Sequence, residues 1–251
     1  MVEQIREMRE KAGEQVENAR DIVGERAESA KEVASEAIGS VKPKLRGVSH
    51  EWAFFVSLVL GAALIVAAKT PQATLAVAIY AVSLSALLGT SALYHRVDWK
   101  RPEVRRWMRR LDHSMIFFLI AGTYTPFALL VLDGPLADAV LAVVWVGAVI
   151  GAIVEMVWIE HPKWVAALVY MSLGWVAVVA FPGMWEEMGV AGTLLVAFGG
   201  LLYTVGAVVY ATQRPNPNPR VFGYHEVFHA LVIAAAAAHF SAIAFFALPA
   251  A

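Results

Sequence analysis

Long apolar runs alternate with short polar links over most of the chain. The runs are about as long as a helix needs to cross roughly 30 Å of hydrocarbon. The links carry turn residues, among them Pro71, Gly134 and Pro162. This pattern predicts an all-α polytopic membrane protein, a seven-transmembrane-helix bundle with spans at 52–68, 73–95, 111–132, 136–158, 164–182, 190–211 and 223–248. Among the predicted links, only 96–110 is long.

Residues 1–40 have a different character, with six Lys/Arg, ten Asp/Glu and no aromatic residue or proline. Apolar residues recur at steps of three or four from Ala12 to Ile38, which predicts an amphipathic helical tail. The stripe is mostly alanine, so a solvated or partly disordered helix and a membrane-surface or self-association segment are both open. The predicted domains are the tail, 1–47, and the membrane domain, 48–251. Because the tail has no apolar h-region, insertion is expected to rely on the first span.

The composition supports the membrane assignment. The chain is 59% hydrophobic and 16% charged, with a mean hydropathy of +0.61, whereas soluble domains are about 25% charged. The net charge of -1 gives no indication of a nucleic-acid partner. The absence of cysteine excludes disulfides and thiolate metal ligands.

The charges in the links predict the orientation. With a cytoplasmic N-terminus, thirteen Lys/Arg outside residues 1–40 face the cytoplasm and only Lys69 faces outward. Because positive charge favours the cytoplasmic side, we expect a multi-pass protein of the cell membrane with its N-terminus inside and its C-terminus outside. Five tryptophans are expected at the membrane interfaces, namely Trp52, Trp107, Trp158, Trp164 and Trp185.

Five polar residues are predicted at one depth, on the cytoplasmic side. Ser91 and His95 are four residues apart at the inner end of the second span, so they share a helical face. Asp112 begins the third span, and His225 and His229 begin the seventh at the same i, i+4 spacing. Three helices therefore bring three histidines and a carboxylate to one membrane level.

Ionisable groups so close to hydrocarbon are costly unless they are paired or bind a cation. Three neutral imidazoles with a water, and a carboxylate as fourth ligand or as partner of the water, suit zinc. Asp112 or Ser91 could then orient the water or take its proton. Interfacial histidines that only bond backbone or headgroups are the alternative for the His-x-x-x-His pair.

Other polar residues are expected to have structural roles. These are His239, deeper on the seventh span; His113, which points away from the Asp112 face; and His50 and His161, which are expected in interfacial links. Glu155 could reach water or join a polar cavity. Glu226, about 100° around the helix from His225, is expected to support a ligand or to face solvent.

Four stretches carry a family resemblance: Ser-Ala-Leu-Tyr-His at 91–95, Leu-Asp-His-Ser at 111–114, Ala-Gly-Thr-Tyr-Thr-Pro at 121–126 and His-Glu-Val-Phe-His at 225–229. Together they resemble the bacterial hemolysin III proteins, within the wider progestin and adipoQ receptor family. The resemblance implies seven spans and zinc near the inner leaflet. It implies ligation by His95, His225 and His229, with Asp112 holding a zinc-bound water and Ser91 close by.

Three functions follow as expectations. The resemblance implies a role in membrane lipid homeostasis and a zinc-dependent, ceramidase-like hydrolysis of lipid amides. Membrane lipids would then be the partners, and a lipid-sized cavity that reaches the metal would distinguish this function. The alternative is a non-enzymatic regulator of membrane fluidity or a receptor-like protein. A closed, four-coordinate zinc site would distinguish this function. A pore-forming hemolysin is the third, although the spans and inner charges are typical of a resident protein. The sequence leaves open whether the chain is an enzyme.

Overall fold

The computed structural model describes residues 43–250, and the predicted tail lies almost wholly outside them. Residues from Lys44 onward form one compact unit. Its α-helices are α1 (Val48–Ala67), α2 (Pro71–Arg96), α3 (Pro102–Leu130), α4 (Gly134–Val157), α5 (Lys163–Gly174), α6 (Phe181–Thr212) and α7 (Tyr224–Ala242). A 3-10 segment, Trp175–Ala180, joins α5 to α6, and a π-helical turn, Ile243–Ala247, follows α7. The expected all-α class is confirmed.

The fifth and sixth predicted spans differ from the structure in how they are joined. Six helical segments of the described residues are long and apolar enough to cross a membrane, because both spans fall in one run, Lys163–Thr212. The backbone leaves helical geometry at Gly189, with φ 66° and ψ -175°. Trp175 Nε1 donates to Thr204 Oγ1 at 3.2 Å, which brings residues on either side of Gly189 together. The run therefore folds back at Gly189, and the predicted link from Gly183 is helical up to that residue.

The long predicted link, 96–110, is mostly helical. α3 begins at Pro102, so its basic first turns continue directly into the third span. Proline at the first helical position and Glu103 in the first turn both favour a helix start. The irregular part of this connection is therefore only 97–101.

Helix α1 buries polar residues together with small and apolar ones and exposes an apolar face. The buried residues of α1 are His50, Ser57, Gly61 and Leu64, whereas Val66 is 85% exposed. Helices adjacent in the chain pack together, and α1 also packs against α7, which closes the bundle. An apolar exterior of this extent is typical of a surface that faces lipid. All five interface tryptophans are more than half exposed on this exterior.

Two adjacent glycines of α6 have different surroundings. A Cβ atom on Gly199 would lie 2.5 Å from Nε2 of His239 and 3.2 Å from the carbonyl oxygen of Ala235, both in α7. A Cβ atom on Gly200 would meet nothing within 4 Å. Close approach of α6 to α7 therefore depends on Gly199 and not on its neighbour.

We expect Gly199→Ala to lower the free energy of unfolding by about 1–3 kcal/mol, because the added methyl group overpacks the contact with α7. Gly200→Ala is the matched control and should be neutral or slightly stabilising, since alanine is the better helix former. Thermal unfolding of the purified protein in detergent measures both. Equal midpoints for the two variants would contradict the assigned contact.

Candidate metal centre

The five polar residues predicted at one depth lie at one end of the bundle. At this end, which we call the site end, α1, α3, α5 and α7 begin and α2, α4 and α6 finish. Ser91 and His95 occupy the last turns of α2, Asp112 lies in the third turn of α3, and His225 and His229 occupy the first turns of α7. The antiparallel course of the helices therefore gathers residues that are far apart in sequence.

His95, His225 and His229 form a compact, buried cluster. Their exposed fractions are 7%, 8% and 1%. One ring nitrogen of each lies within 4.8 Å of the others, and Nε2 of His95 is 3.1 Å from Nε2 of His225. Two imidazole nitrogens on one tetrahedral zinc ion would be about 3.3 Å apart. The three side chains could therefore hold a metal ion with little movement, and they are the only such group of three among the described residues.

Asp112 and Ser91 lie beside this cluster. The Oδ2 atom of Asp112 is 3.8 Å from Nε2 of His95, and Ser91 is 3% exposed at the same end of the bundle. Both residues line the same cavity as His225 and His229. The carboxylate is therefore within reach of a molecule at the cluster.

The start of α7 is fixed by Glu226. Its Oε2 atom accepts a hydrogen bond from the backbone N–H of Gly223 at 2.8 Å, which caps the helix that carries His225 and His229. Its Oε1 atom accepts from Nε of Arg46 in an ion pair. Glu226 is 2% exposed, so the solvent-facing alternative is wrong and the carboxylate instead holds the first turn of α7 in place.

A second polar cluster lies on the neighbouring helices at the site end. Glu155 is 2% exposed and accepts a hydrogen bond from the Tyr170 hydroxyl at 2.8 Å. Its other oxygen is 3.0 Å from Nε2 of His161. Glu155 therefore joins a polar cluster and does not reach water.

The remaining histidines show what sequence reasoning found and missed. His239 contacts the carbonyl oxygen of Val196 at 3.1 Å, in the expected structural way. His113 contacts the Tyr210 hydroxyl at 3.2 Å, but its Nδ1 atom is also 3.6 Å from Oδ2 of Asp112, so it does not point away from Asp112 as expected. His50 is not in an interfacial link, because it lies in the first turn of α1, where it is 2% exposed and stacks on His229. The depth argument applied to the start of the first span could have found it, since that span also begins on the site side.

A cavity of about 220 Å³ runs into the bundle from the cluster. His229 and His239 both line it, and ten residues of helix separate them by about 15 Å. Its deeper walls are aromatic and aliphatic, including Trp175, Phe181 and Met184. This shape suits a narrow apolar chain with its polar end at the histidines.

The fold and the cluster together define a polytopic helical membrane protein with a buried three-histidine site that could bind a metal. The family described as haemolysin-III related matches residues 39–240. The chain belongs to this family and, with it, to the progestin and adipoQ receptor superfamily.

Individual relatives span bacteria and animals. The chain is 34% identical to Hemolysin-3 of Bacillus cereus over 72% of its own length and 78% of that protein. It is 30% identical to the monocyte to macrophage differentiation factor of Homo sapiens, over 66% of the chain and 67% of that protein. It is also 30% identical to the adiponectin receptor protein of Drosophila melanogaster, over 62% of the chain and 39% of that protein.

Proposed function

We propose that this protein is a zinc-dependent membrane hydrolase that cleaves lipid amides and thereby takes part in membrane lipid homeostasis. The observation that carries the proposal is the apolar cavity that ends at the three-histidine cluster beside Asp112. Three buried imidazoles with a carboxylate nearby suit zinc, which does not need a thiolate ligand. The test is release of fatty acid from lipid amides by the purified, zinc-loaded protein.

Each residue of the site has a separate role in the proposed hydrolysis. Zinc, when bound, supplies a Lewis acid that polarises a carbonyl group and activates water. The Asp112 carboxylate accepts the proton of the attacking water as its oxygen bonds to the carbonyl carbon. That proton then passes to the nitrogen as the C–N bond breaks. Ser91, which lines the cavity together with Asp112, orients the carboxylate, and the apolar walls hold the acyl chain and exclude water.

A structural zinc site in a non-enzymatic regulator is the second candidate. The observation in its favour is the 3.8 Å distance between Oδ2 of Asp112 and Nε2 of His95. A small movement of the carboxylate would make it a direct fourth ligand, and a four-coordinate site without an open position is typical of structural zinc. In that case zinc would link α2, α3 and α7 without catalysis.

The orientation completes the proposal. We propose that the site end faces the cytoplasm, because twelve of the thirteen Lys/Arg among the described residues belong to this end and only Lys69 belongs to the other. The proposed reaction then takes place at the inner leaflet, and α7 ends near the outer one.

Paired C-terminal fusions at residue 251 test this orientation. We expect alkaline phosphatase, which is active only outside the bacterial cytoplasm, to be active there, and green fluorescent protein to be dark. The matched pair controls for expression, since one of the two reporters is active in either orientation. A fluorescent fusion with an inactive phosphatase would reverse the topology.

A further inference from the structure

His50 lies against the metal centre in a position that several contacts hold. Its ring stacks on that of His229 with a centroid distance of 3.7 Å and an interplanar angle of 11°. Just before it, Gly47 has φ 79°, and a Cβ there would lie 2.6 Å from Cβ of His95. Just after it, Glu51 pairs with Arg96 at 2.7 Å. The start of α1 is therefore packed directly against the helices that carry the cluster.

His50 is not placed to be a further metal ligand. The lone pair of an imidazole nitrogen lies in the plane of the ring, so two nearly parallel stacked rings direct their lone pairs side by side and not toward one ion. The group of nitrogens close enough to share an ion contains His95, His225 and His229 and does not include His50. Its role must therefore come from another property of the ring.

Packing alone does not account for a histidine at this position. Both ring nitrogens of His50 are buried and have no hydrogen-bond partner among the described residues. The backbone of His229 lies near the ring without reaching hydrogen-bond geometry. Burying unpaired polar atoms is costly, and phenylalanine would supply the same stack without that cost. The nitrogens therefore need a partner that is not among the described residues.

The cavity is where such a partner can lie. His50 lines it together with Ser91, Asp112 and His229. We propose that His50 hydrogen-bonds the polar head of the amphiphile bound in this cavity and so positions it beside the metal centre. A neutral imidazole offers one donor and one acceptor, which matches the C=O and N–H groups of an amide. This inference rests on the proposed function, because it takes the lipid amide as the occupant.

Two substitutions separate hydrogen bonding from stacking. His50→Phe keeps an aromatic ring on His229 and removes both nitrogens, whereas His50→Gln removes the ring and keeps a donor and an acceptor. The probe is N-dodecylurea, which presents amide-like groups on an apolar chain and resists hydrolysis, and its affinity for the zinc-loaded protein is measured by titration calorimetry in detergent. Ser57→Ala is the matched control, since Ser57 is buried in α1 and bonds Ser85.

We expect His50→Phe to weaken binding of the urea about five- to tenfold, the factor that one lost hydrogen bond produces. His50→Gln and Ser57→Ala should bind within about twofold of the wild type, and all four proteins should hold equal zinc. Wild-type affinity in His50→Phe with weakened binding in His50→Gln would assign His50 to stacking and overturn the proposal. So would failure of the wild type to bind the urea.

The two proposals fail in different ways. Absent zinc or absent amide turnover by the wild type defeats the proposed hydrolase. Equal binding of N-dodecylurea by the wild type and His50→Phe defeats only the role of His50. Because the urea is not consumed, its affinity can be measured whether or not the protein proves to be an enzyme.

Discussion

Replacing His225 or His229 with alanine should reduce the zinc retained by the purified protein from about one ion per chain to a small fraction of that. Each substitution removes one of three buried imidazoles whose ligand nitrogens lie within 4.8 Å of one another. Two remaining protein ligands seldom hold zinc in a structural or catalytic site, so we expect affinity to fall more than a hundredfold. Elemental analysis after dialysis against a chelator measures the loss.

His239→Gln is the matched control for this measurement. His239 is a buried histidine of the same helix, but it lies about 15 Å from His229 and bonds the carbonyl oxygen of Val196. The variant should therefore keep its zinc. Unchanged zinc in His225→Ala and His229→Ala, or equal loss in all three variants, would contradict the metal centre.

Asp112→Asn should abolish most turnover of lipid amides while leaving zinc bound. The amide side chain has nearly the shape of the carboxylate but cannot accept the proton of the attacking water. General base catalysis typically contributes a factor of about 10² to 10⁴ in rate, and we expect a loss in this range. Release of fatty acid from a set of N-acyl lipids, followed by mass spectrometry, measures turnover.

Asp133→Asn controls for the loss of a carboxylate, because Asp133 is exposed at the start of α4, at the opposite end of the bundle. It should turn over lipid amides as the wild type does. If Asp112→Asn loses zinc together with stability, Asp112 is a direct ligand and the structural candidate gains support. If the wild type consumes no lipid amide, the non-enzymatic function takes precedence over the hydrolase.

Much of the fold was accessible from hydrophobic patterning. Runs such as 73–95 and 136–158 are long enough to span a bilayer, and they correspond to α2 and α4 with small changes at the ends. The spans predicted at 164–182 and 190–211 put a link at 183–189, whereas the structure confines the break to Gly189, because the flanking residues keep helical geometry. Hydropathy does not give the helical start of α3 at Pro102, because the charged residues 102–110 extend the helix beyond the hydrocarbon.

The candidate site was partly accessible because depth in a membrane follows from position along a span. The i, i+4 spacing of His225 and His229 and the helical position of His95 predict that these side chains meet. Depth does not give the rotation of each helix about its axis. That rotation decides whether His50 faces lipid or His229, and whether Glu155 reaches water or His161.

The sequence by itself determined that this protein is a helical membrane protein and which polar residues share one end of it, because length, hydropathy and charge are properties of single segments. The tertiary structure alone decided which of those residues touch. It placed His50 on His229, joined Arg46 to Glu226, and opened an apolar cavity at the histidine cluster. These contacts depend on how the helices pack against one another, and no single segment carries that information.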